Sequence, residues 1–407
     1  MGFFKQTINT VNLRHQTVLL RADYNVPLTE DGKVADDFRI RAGLPTVRKL
    51  LADGCKVVII SHLGRPEARP DAKYSLEPAA QRLAELLGEP VRFVDQTIGD
   101  KPKMAIKRAP MRSVIVLENL RFYPGEQAND PAFAKALAES SNARYFVQDG
   151  FGVVHRAHAS TVAITHELPS VAGLLLEREY ATITDAMKAP RRPLLTVLGG
   201  AKVSDKIKLI QKFIEVADQI AIGGAMANNF LAYKGQPVGK SKLEEGVEQT
   251  IQAIYKAAEK KVGAAKVDDF LLLPQDVVVA SSLEDAPRTV AVEDVAPDDM
   301  IFDLGEATMD RVADAARKAG TVIWNGTLGV AEKPAFAVGS ARLAKALADH
   351  PATTSIIGGG DTADFAIHWD KKQGGSFSHV STGGGASLAL MAGKKLPGVE
   401  SLLDARS

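Results

Sequence analysis

Two hydrophobic periodicities alternate along the chain. Short runs that are apolar at nearly every position are separated by longer segments whose apolar residues recur every three or four places, the marks of buried strands and amphipathic helices. Residues 43–53 set Leu44, Val47, Leu50 and Leu51 at helical spacing and stop at Gly54, ahead of a strand over 55–61. Residues 75–87 repeat the plan, with Ser75 as candidate N-cap, Leu76, Leu83, Leu86 and Leu87 as the stripe, and Gly88 as the stop. Strands near 91–94 and 113–117, a helix near 131–140 and a strand near 144–149 complete a first series. Leu174 to Met187 reads as a connecting helix closed by Ala189-Pro190. A second series begins near Pro193, with strands at 194–198, 218–222, 321–325, 353–357 and 377–381 and an apolar run over 270–279. Its helices are expected at 204–217, 225–233, 247–260, 308–319, 336–349, from Thr362, and at 386–392. This alternation predicts parallel sheets covered by helices on both faces, in two α/β domains with a cleft between them.

The residues that follow the apolar runs differ between the halves. In the first half they are Asp23-Tyr24-Asn25, His62-Leu63-Gly64-Arg65, Asn119-Leu120-Arg121 and His155-Arg156-Ala157-His158. In the second they are Gly199-Gly200-Ala201-Lys202, Gly223-Gly224, Gly358-Gly359-Gly360-Asp361 and Gly383-Gly384-Gly385. Ligands of parallel α/β sheets bind beyond the carboxyl ends of the strands, so the chain carries two candidate sites of different chemistry.

Composition narrows the class. A chain of 407 residues exceeds the usual size of one hydrophobic core, and 45% hydrophobic with 24% charged residues fits a globular enzyme. A net charge of +1 gives no overall attraction to nucleic acid or to an acidic membrane, so anion recognition must be local. The lone Cys55 lies in an apolar run and reads as a small buried hydrophobe. No apolar segment approaches the roughly 18 residues of a membrane span, and Met1-Gly2-Phe3-Phe4-Lys5-Gln6 does not open a signal peptide, so a cytoplasmic protein is expected.

In the second half no G-x-G-x-x-G occurs, and Gly235 to Ser241 falls one residue short of a P-loop and follows a helix. Lys202 and Lys206 are four apart after the strand 194–198. They either share a helical face toward a phosphate or form a solvated charged face, although lysine opposes the dipole at a helix start. The backbone N–H groups of Gly358 to Gly360 can hold phosphate oxygens and Thr362 can add a hydroxyl. Asp361 is either a cation ligand, as magnesium beside a nucleotide would need, or an N-cap. Ser381 to Ser387 makes another strand-to-helix nest.

In the first half Arg39, Arg65, Arg121 and Arg156 suit a phosphate or carboxylate ligand, flanked by Asn25, His62 and His158. Asp23 either accepts a substrate hydroxyl or fixes an arginine, and His62 either donates to phosphate or is structural. The absence of G-x-S-x-G, H-E-x-x-H and C-x-x-C leaves nucleophilic, zinc and dithiol chemistry without support. Direct phosphoryl transfer remains.

Several segments, in order, resemble phosphoglycerate kinase: Arg21 to Pro27, Ser61 to Pro66, Glu118 to Phe122, His155 to Ser160, Gly199 to Lys206, Trp324-Asn325-Gly326, Gly358 to Thr362 and Val380 to Leu388. The resemblance spans nearly the whole chain. It implies an α/β protein of two Rossmann-like three-layer α/β/α domains with parallel sheets, joined by a helix and hinge around a central cleft. The expected divisions are a 3-phosphoglycerate-binding domain over 1–173, a helix over 174–190, a nucleotide-binding domain over 191–392, and a segment over 393–407 that returns to the first domain. The implied reaction is reversible, Mg2+-dependent phosphoryl transfer between 1,3-bisphosphoglycerate and ADP in glycolysis, giving 3-phosphoglycerate and ATP in line after hinge closure.

By that resemblance Asp23, Asn25, Arg39, His62, Arg65, Arg121 and Arg156 bind the triose acid. Lys206, Gly305, Glu332, Gly358, Gly359, Gly360, Asp361 and Thr362 bind nucleotide, with Asp361 on the metal. Arg39, Lys202, Lys206 and Gly384 surround the transferring group. A monomer that uses no nucleic acid and no membrane is expected. Departures from the family pattern are Gly150 for alanine, Thr327 for proline, Ala331 for phenylalanine, Ala389 for glutamate, and Glu306-Ala307 where Pro-Lys is usual. They concentrate on the nucleotide side. A non-catalytic nucleotide-binding scaffold is disfavoured by the presence of Arg39, Lys206 and Asp361, and a nicotinamide-dependent oxidoreductase by the missing dinucleotide fingerprint.

Overall fold

The computed structural model describes residues 3–405. The chain divides into two units, and the division falls inside the helix Leu174–Lys188, between Thr182 and Ile183, with a second crossing after Gly393.

Unit 1 is built on six strands: β1 (Thr17–Arg21), β2 (Lys56–Ile60), β3 (Val91–Val94), β4 (Val114–Leu117), β5 (Tyr145–Gln148) and β6 (Ser170–Ala172). They pair in the order β3-β4-β2-β1-β5-β6, all parallel. Alternate residues supply two separate cores. Val18, Leu20, Val57, Ile59, Val114 and Val116 pack with the helices Phe38–Ala52 and Glu77–Leu87. Leu19, Val58, Ile60, Ile115 and Leu117 pack with Asp100–Arg108 and Pro131–Ser141. Burial of both faces is why the inner strands β1, β2 and β4 run apolar through consecutive positions, Val18 to Leu20, Val57 to Ile60 and Val114 to Leu117, rather than at every second one.

Two helix starts differ from the sequence reading. The first helix begins at Phe38 rather than 43, because the buried Ile40 carries the stripe of Leu44 and Val47 one turn further back, between the partly exposed Arg39 and Arg41. The second begins at Glu77, with Leu76 in the cap position, and the Ser75 hydroxyl accepts the Glu77 N–H at 3.2 Å from one place earlier. The helix Asp100–Arg108 and strand β6 were not expected; both are short, and the helix is mostly charged. Residues from Lys394 onward belong to unit 1. There Gln6 donates to the Leu403 carbonyl at 2.8 Å, Leu403 to Ser170 at 3.0 Å, and the Lys5 ammonium to the carbonyls of Glu400 and Leu402 at 2.7 and 2.9 Å.

Unit 2 contains β7 (Leu194–Leu198), β8 (Gln219–Ile222), β9 (Leu271–Leu272), β10 (Asp276–Ala280), β11 (Arg288–Ala291), β12 (Met300–Leu304), β13 (Thr321–Asn325), β14 (Thr354–Gly358) and β15 (His379–Val380). Six of them form a parallel sheet in the order β15-β14-β13-β7-β8-β9. The other three form an antiparallel sheet, β11-β10-β12, which the expectation of parallel sheets alone did not include. Its origin is Pro274, which ends the apolar run at 270–279: β9 stays on the parallel sheet, and β10 beyond the proline becomes the centre of the new one. Order in the parallel sheet reverses between β7 and β13, which are neighbours. That reversal opens a crevice at the carboxyl ends of those two strands.

Candidate functional sites

In unit 1 the carboxyl ends of β1, β2, β4 and β5 deliver an arginine-rich cluster. Its centre is a residue that sequence reasoning did not single out. Arg21, the last residue of β1, is 1% exposed. Its guanidinium donates to the Ser160 hydroxyl at 2.9 Å, to the Ala22 carbonyl, and to Nδ1 of His62 at 3.2 Å. Arginine has no acceptor, so Nδ1 of His62 accepts and the ring proton sits on Nε2. Burial, then the charges of Arg21, Arg121 and Arg39, hold the His62 pKa well below 6.5, so the ring is neutral at neutral pH. Burial, then the charges of Arg21, Arg121 and Arg156, push His158 down to about 4.

Arg121 is 5% exposed and donates to the Gly64 carbonyl at 2.5 Å. Burial first, then repulsion from Arg21 and Arg156, lowers its pKa to about 10. Gly64 in turn donates its N–H to Oδ1 of Asn25 at 2.8 Å, and the Asn25 carbonyl accepts from Arg39 at 2.7 Å. Asp23 lies 3.7 Å from the Arg39 guanidinium and accepts the Asn25 N–H at 3.2 Å, so of its two sequence readings the structure shows the arginine contact. Arg65 and Arg156 remain exposed, Arg156 leaning on His155 at 3.1 Å. The counter-charge inside is Glu126, 1% exposed, whose carboxylate takes the N–H and hydroxyl of Ser160 at 3.0 and 2.6 Å. Five arginines against Asp23 and Glu126, with both histidines neutral, leave a surplus of positive charge that is already held in place. An anion entering such a site meets donors that need little reorganisation.

In unit 2 the crevice between β7 and β13 is spanned by Lys206. Its ammonium donates to the Gly199 carbonyl at 2.6 Å and to the carbonyl and Oδ1 of Asn325 at 2.9 and 2.7 Å. Burial pulls its pKa down to about 8, against the opposing charges of Asp205 and Asp361. Asn325 continues the chain of contacts by donating Nδ2 to the Gly358 carbonyl at 2.9 Å. Lys202 does not share a helical face with Lys206. The helical turn starts only at Ser204, after Lys202, which stays exposed in the loop.

Two helices, Gly360–Trp369 and Gly384–Met391, begin beside each other. A Cβ on Gly384 would lie 3.0 Å from the Gly360 nitrogen. Gly359 and Gly383 occupy their cap positions, with no side chain bonded to either first turn, so the leading N–H groups face outward uncapped. Gly359 has φ 98°, which favours glycine. Asp361 is in the first turn and not at the N-cap, which removes the capping alternative. Its carboxylate makes no hydrogen bond or ion pair among the described residues. The Thr362 hydroxyl oxygen accepts the Gly326 N–H at 2.7 Å.

Gly305 and Glu332 stand apart from this centre. Gly305 heads the helix Glu306–Lys318, but that helix start is closed by Asp276, whose carboxylate accepts the N–H groups of Ala307 and Thr308 at 2.9 and 2.7 Å and the Thr308 hydroxyl at 2.6 Å. The Thr308 that stands in the departing segment is thus bound by its own partner. Beside Gly305, the side chains of Leu304, Leu328 and Phe302 with Gly224 and Ala227 line a narrow apolar pocket. Glu332 is exposed in the segment between β13 and the helix Val338–Ala348. That segment is pinned by Asp303, which accepts the Gly339 N–H at 2.9 Å and is pushed up to about 6 by burial. Of the other departures, the Thr327 carbonyl accepts from Gly200 at 3.2 Å, and a Cβ on Gly150 would sit tightly, 3.3 Å from Val153 and 3.4 Å from the Ala22 backbone. Nothing in the structure explains Ala331 or Ala389. Arg21, Glu126, Asn325, Asp276 and Asp303 all act on partners distant in sequence; for Arg21, Asn325, Asp276 and Asp303 the signal that could have found them is a polar residue within or beside an otherwise apolar run, and Glu126 carries no such signal.

The sequence model of the phosphoglycerate kinase family matches residues 8–394. A phosphoglycerate kinase of Chloroflexus aurantiacus is 45% identical over 407 aligned residues, covering 98% of this chain and 99% of that one. A phosphoglycerate kinase of Rubrobacter xylanophilus is 44% identical over 397, covering 97% of each. The solved structure of phosphoglycerate kinase from Coxiella burnetii superposes with a TM-score of 0.83 at 35% identity, covering 98% of both chains. With the strand order, the arginine cluster and the paired glycine-led helix starts already in place, these matches show that the chain belongs to the phosphoglycerate kinase family.

Proposed function

We propose that the phosphoglycerate kinase activity of this chain, a glycolytic phosphoryl transfer to a carboxyl group, is carried by the two strand-end clusters, one for each substrate. The observation that carries this reading is their complementarity: buried, mutually repelling guanidinium groups in unit 1, and uncapped helix starts beside a partly buried lysine in unit 2.

In unit 1, Arg65, Arg121 and Arg156 hold the phosphate of 3-phosphoglycerate, and Nε2–H of His62 donates to the acid. Asp23 and Asn25 accept from its hydroxyl and keep Arg39 turned toward the reacting carboxylate. In unit 2, Gly358, Gly359, Gly360 and Thr362 hold the nucleotide phosphates, Gly305 lies against the nucleoside, and Glu332 accepts from the sugar. Asp361 suits a magnesium ion, because it is a single uncommitted carboxylate beside N–H groups that hold phosphate. When bound, the ion neutralises phosphate charge.

Arg39, Lys202, Lys206 and the N–H of Gly384 stabilise the transferring group. No general base is needed, since the acceptor is already ionised, and no side chain takes up the phosphoryl group. Transfer is direct, so donor and acceptor must meet, and hinge closure belongs to this proposal. The units would then correspond to a triose-acid domain and a nucleotide domain in a cytoplasmic monomer. Among the described residues no helix is long and apolar enough to cross a membrane. The test is a coupled assay with purified protein, ATP, magnesium and 3-phosphoglycerate; failure to form an acyl phosphate would overturn the reading.

A further inference from the structure

The start of the helical segment that carries Lys206 is already bound by a carboxylate. Glu244, from the irregular stretch between the helices Gly224–Tyr233 and Glu248–Val262, accepts the Val203 N–H at 2.7 Å, the Ser204 N–H at 3.1 Å and the Ser204 hydroxyl. These bonds and the charge of Lys202 lower its pKa, so the carboxylate is ionised at neutral pH. Glu244 is itself held. Its N–H donates to Oδ1 of Asn229 at 2.9 Å, and two residues earlier the Lys242 carbonyl accepts from Asn228 at 3.2 Å. Both asparagines are buried on the helix Gly224–Tyr233. That helix begins at Gly224, whose N–H donates to the Leu328 carbonyl. Glu244 is therefore anchored to the same wall of the unit that contains β8 and the 326–328 turn.

Two consequences follow from elementary geometry. The N–H groups of Val203 and Ser204, which would otherwise attract a phosphate, are satisfied internally, so this helix start does not compete with the uncapped starts at Gly360 and Gly384. The segment from Gly200 to Lys206 is also tied at three places: the Gly200 N–H donates to the Thr327 carbonyl at 3.2 Å, Glu244 holds residues 203–204, and Gly199 and Asn325 hold the Lys206 ammonium. Lys202 lies in the tied stretch, and its charge faces the Glu244 carboxylate.

We propose that Glu244 is a positioning residue for phosphoryl transfer: it fixes the 200–206 segment so that Lys202 and Lys206 meet the transferring group, without itself touching substrate. This rests on the reading that those two lysines act on that group. Loss of Glu244 then damages the step in which the lysines bear charge and leaves the binding of either substrate almost untouched.

The experiment compares Glu244→Ala, Glu244→Gln and Lys206→Ala, each alone, and the Lys206→Ala/Glu244→Ala double variant. Turnover, both Michaelis constants, and ADP binding without metal by calorimetry are measured, with a urea unfolding curve for each protein. Glu244→Ala is expected to lower kcat by about 10- to 100-fold with KM and ADP affinity held within about 3-fold. Glu244→Gln, which keeps one acceptor oxygen, should recover part of the loss and serves if the alanine variant does not fold. The double variant should be no slower than Lys206→Ala alone, because both changes disable one unit of structure. Wild-type kcat in both Glu244 variants, a matching loss of ADP affinity, or losses that multiply in the double variant would each overturn the proposal. Wild-type turnover in Lys206→Ala would instead overturn the underlying reading of the lysines.

Discussion

Lys206 is joined to Asn325 twice, its ammonium donating to the backbone carbonyl at 2.9 Å and to the side-chain Oδ1 at 2.7 Å. With the Gly199 carbonyl as third acceptor, every N–H of the ammonium is used. A phosphate can recruit Lys206 only by replacing one of these acceptors, and the negative charge it brings raises a pKa that burial has drawn down to about 8. Asn325→Leu should therefore lower turnover by about 100-fold. It should also cost about 2 kcal/mol of stability, because Lys206 and the Gly358 carbonyl both lose a partner. Steady-state kinetics and urea unfolding check the two parts, and a variant as active as wild type would break the assignment.

The depressed histidines give the molecule an acid sensitivity of known sign. His62 and His158 bind protons less readily folded than unfolded, so stability present at neutral pH is lost as pH falls below 6.5, for His158 down to about 4. Asp149 runs the other way. Burial raises it to about 6, so its folded form takes up a proton first, and stability is gained as pH falls from about 6 toward 3.8. Urea midpoints of His158→Gln should fall less steeply with acid than those of the parent. Equal slopes would mean that His158 is charged in the folded protein.

Arg65 is exposed, and the phosphate contact proposed for it would exist before and after transfer. Arg65→Ala should raise KM for 3-phosphoglycerate by about tenfold while kcat changes little. A fall in kcat at constant KM would move Arg65 from binding to the chemical step.

Asp361 makes no hydrogen bond or ion pair among the described residues and acts on Lys206 only through its charge, so Asp361→Asn should shift the unfolding curve little. The magnesium concentration for half-maximal rate should rise by about an order of magnitude, and a chelator should abolish the activity of the parent reversibly. Metal titrations that superpose for the two proteins would remove Asp361 from the metal.

A methyl group on Gly384 would press on the Gly360 nitrogen at 3.0 Å, where the two uncapped helix starts adjoin. Gly384→Ala should lower kcat by about tenfold with the fold retained. The measurement is turnover at saturating concentrations of both substrates, and an unchanged value would show that the N–H groups there are not aimed at the reacting phosphate.

Much of this was legible in the chain because it depends on local pattern. Strands β4, β7 and β13 lie where nearly continuous apolar runs put them, and the arginines and glycines that follow such runs fall at the strand ends. What was hidden depends on partners brought together only by folding. Asp276 and Glu244 close helix starts 31 and 41 residues away, at Ala307 and Val203, and neither carboxylate sits in a recognisable pattern. The antiparallel sheet escaped notice because β11, with Arg288 and Thr289 exposed, has little apolar character of its own. The helix over 38–52 was read short because Arg39 and Arg41 flank the buried Ile40 and Gly43 and Pro45 follow it, which hides the continuation of the stripe.

The two crossings between the units, inside the helix Leu174–Lys188 and after Gly393, bear on the order in which the protein can be assembled. Unit 2 is one uninterrupted stretch of chain, whereas unit 1 closes only when Gly398 donates to the Val154 carbonyl at 2.9 Å and Leu403 to Ser170. During synthesis the later-made unit is thus complete first. The earlier-made one keeps its edge near Lys5 and Ser170 open until the segment from Lys394 onward is in place.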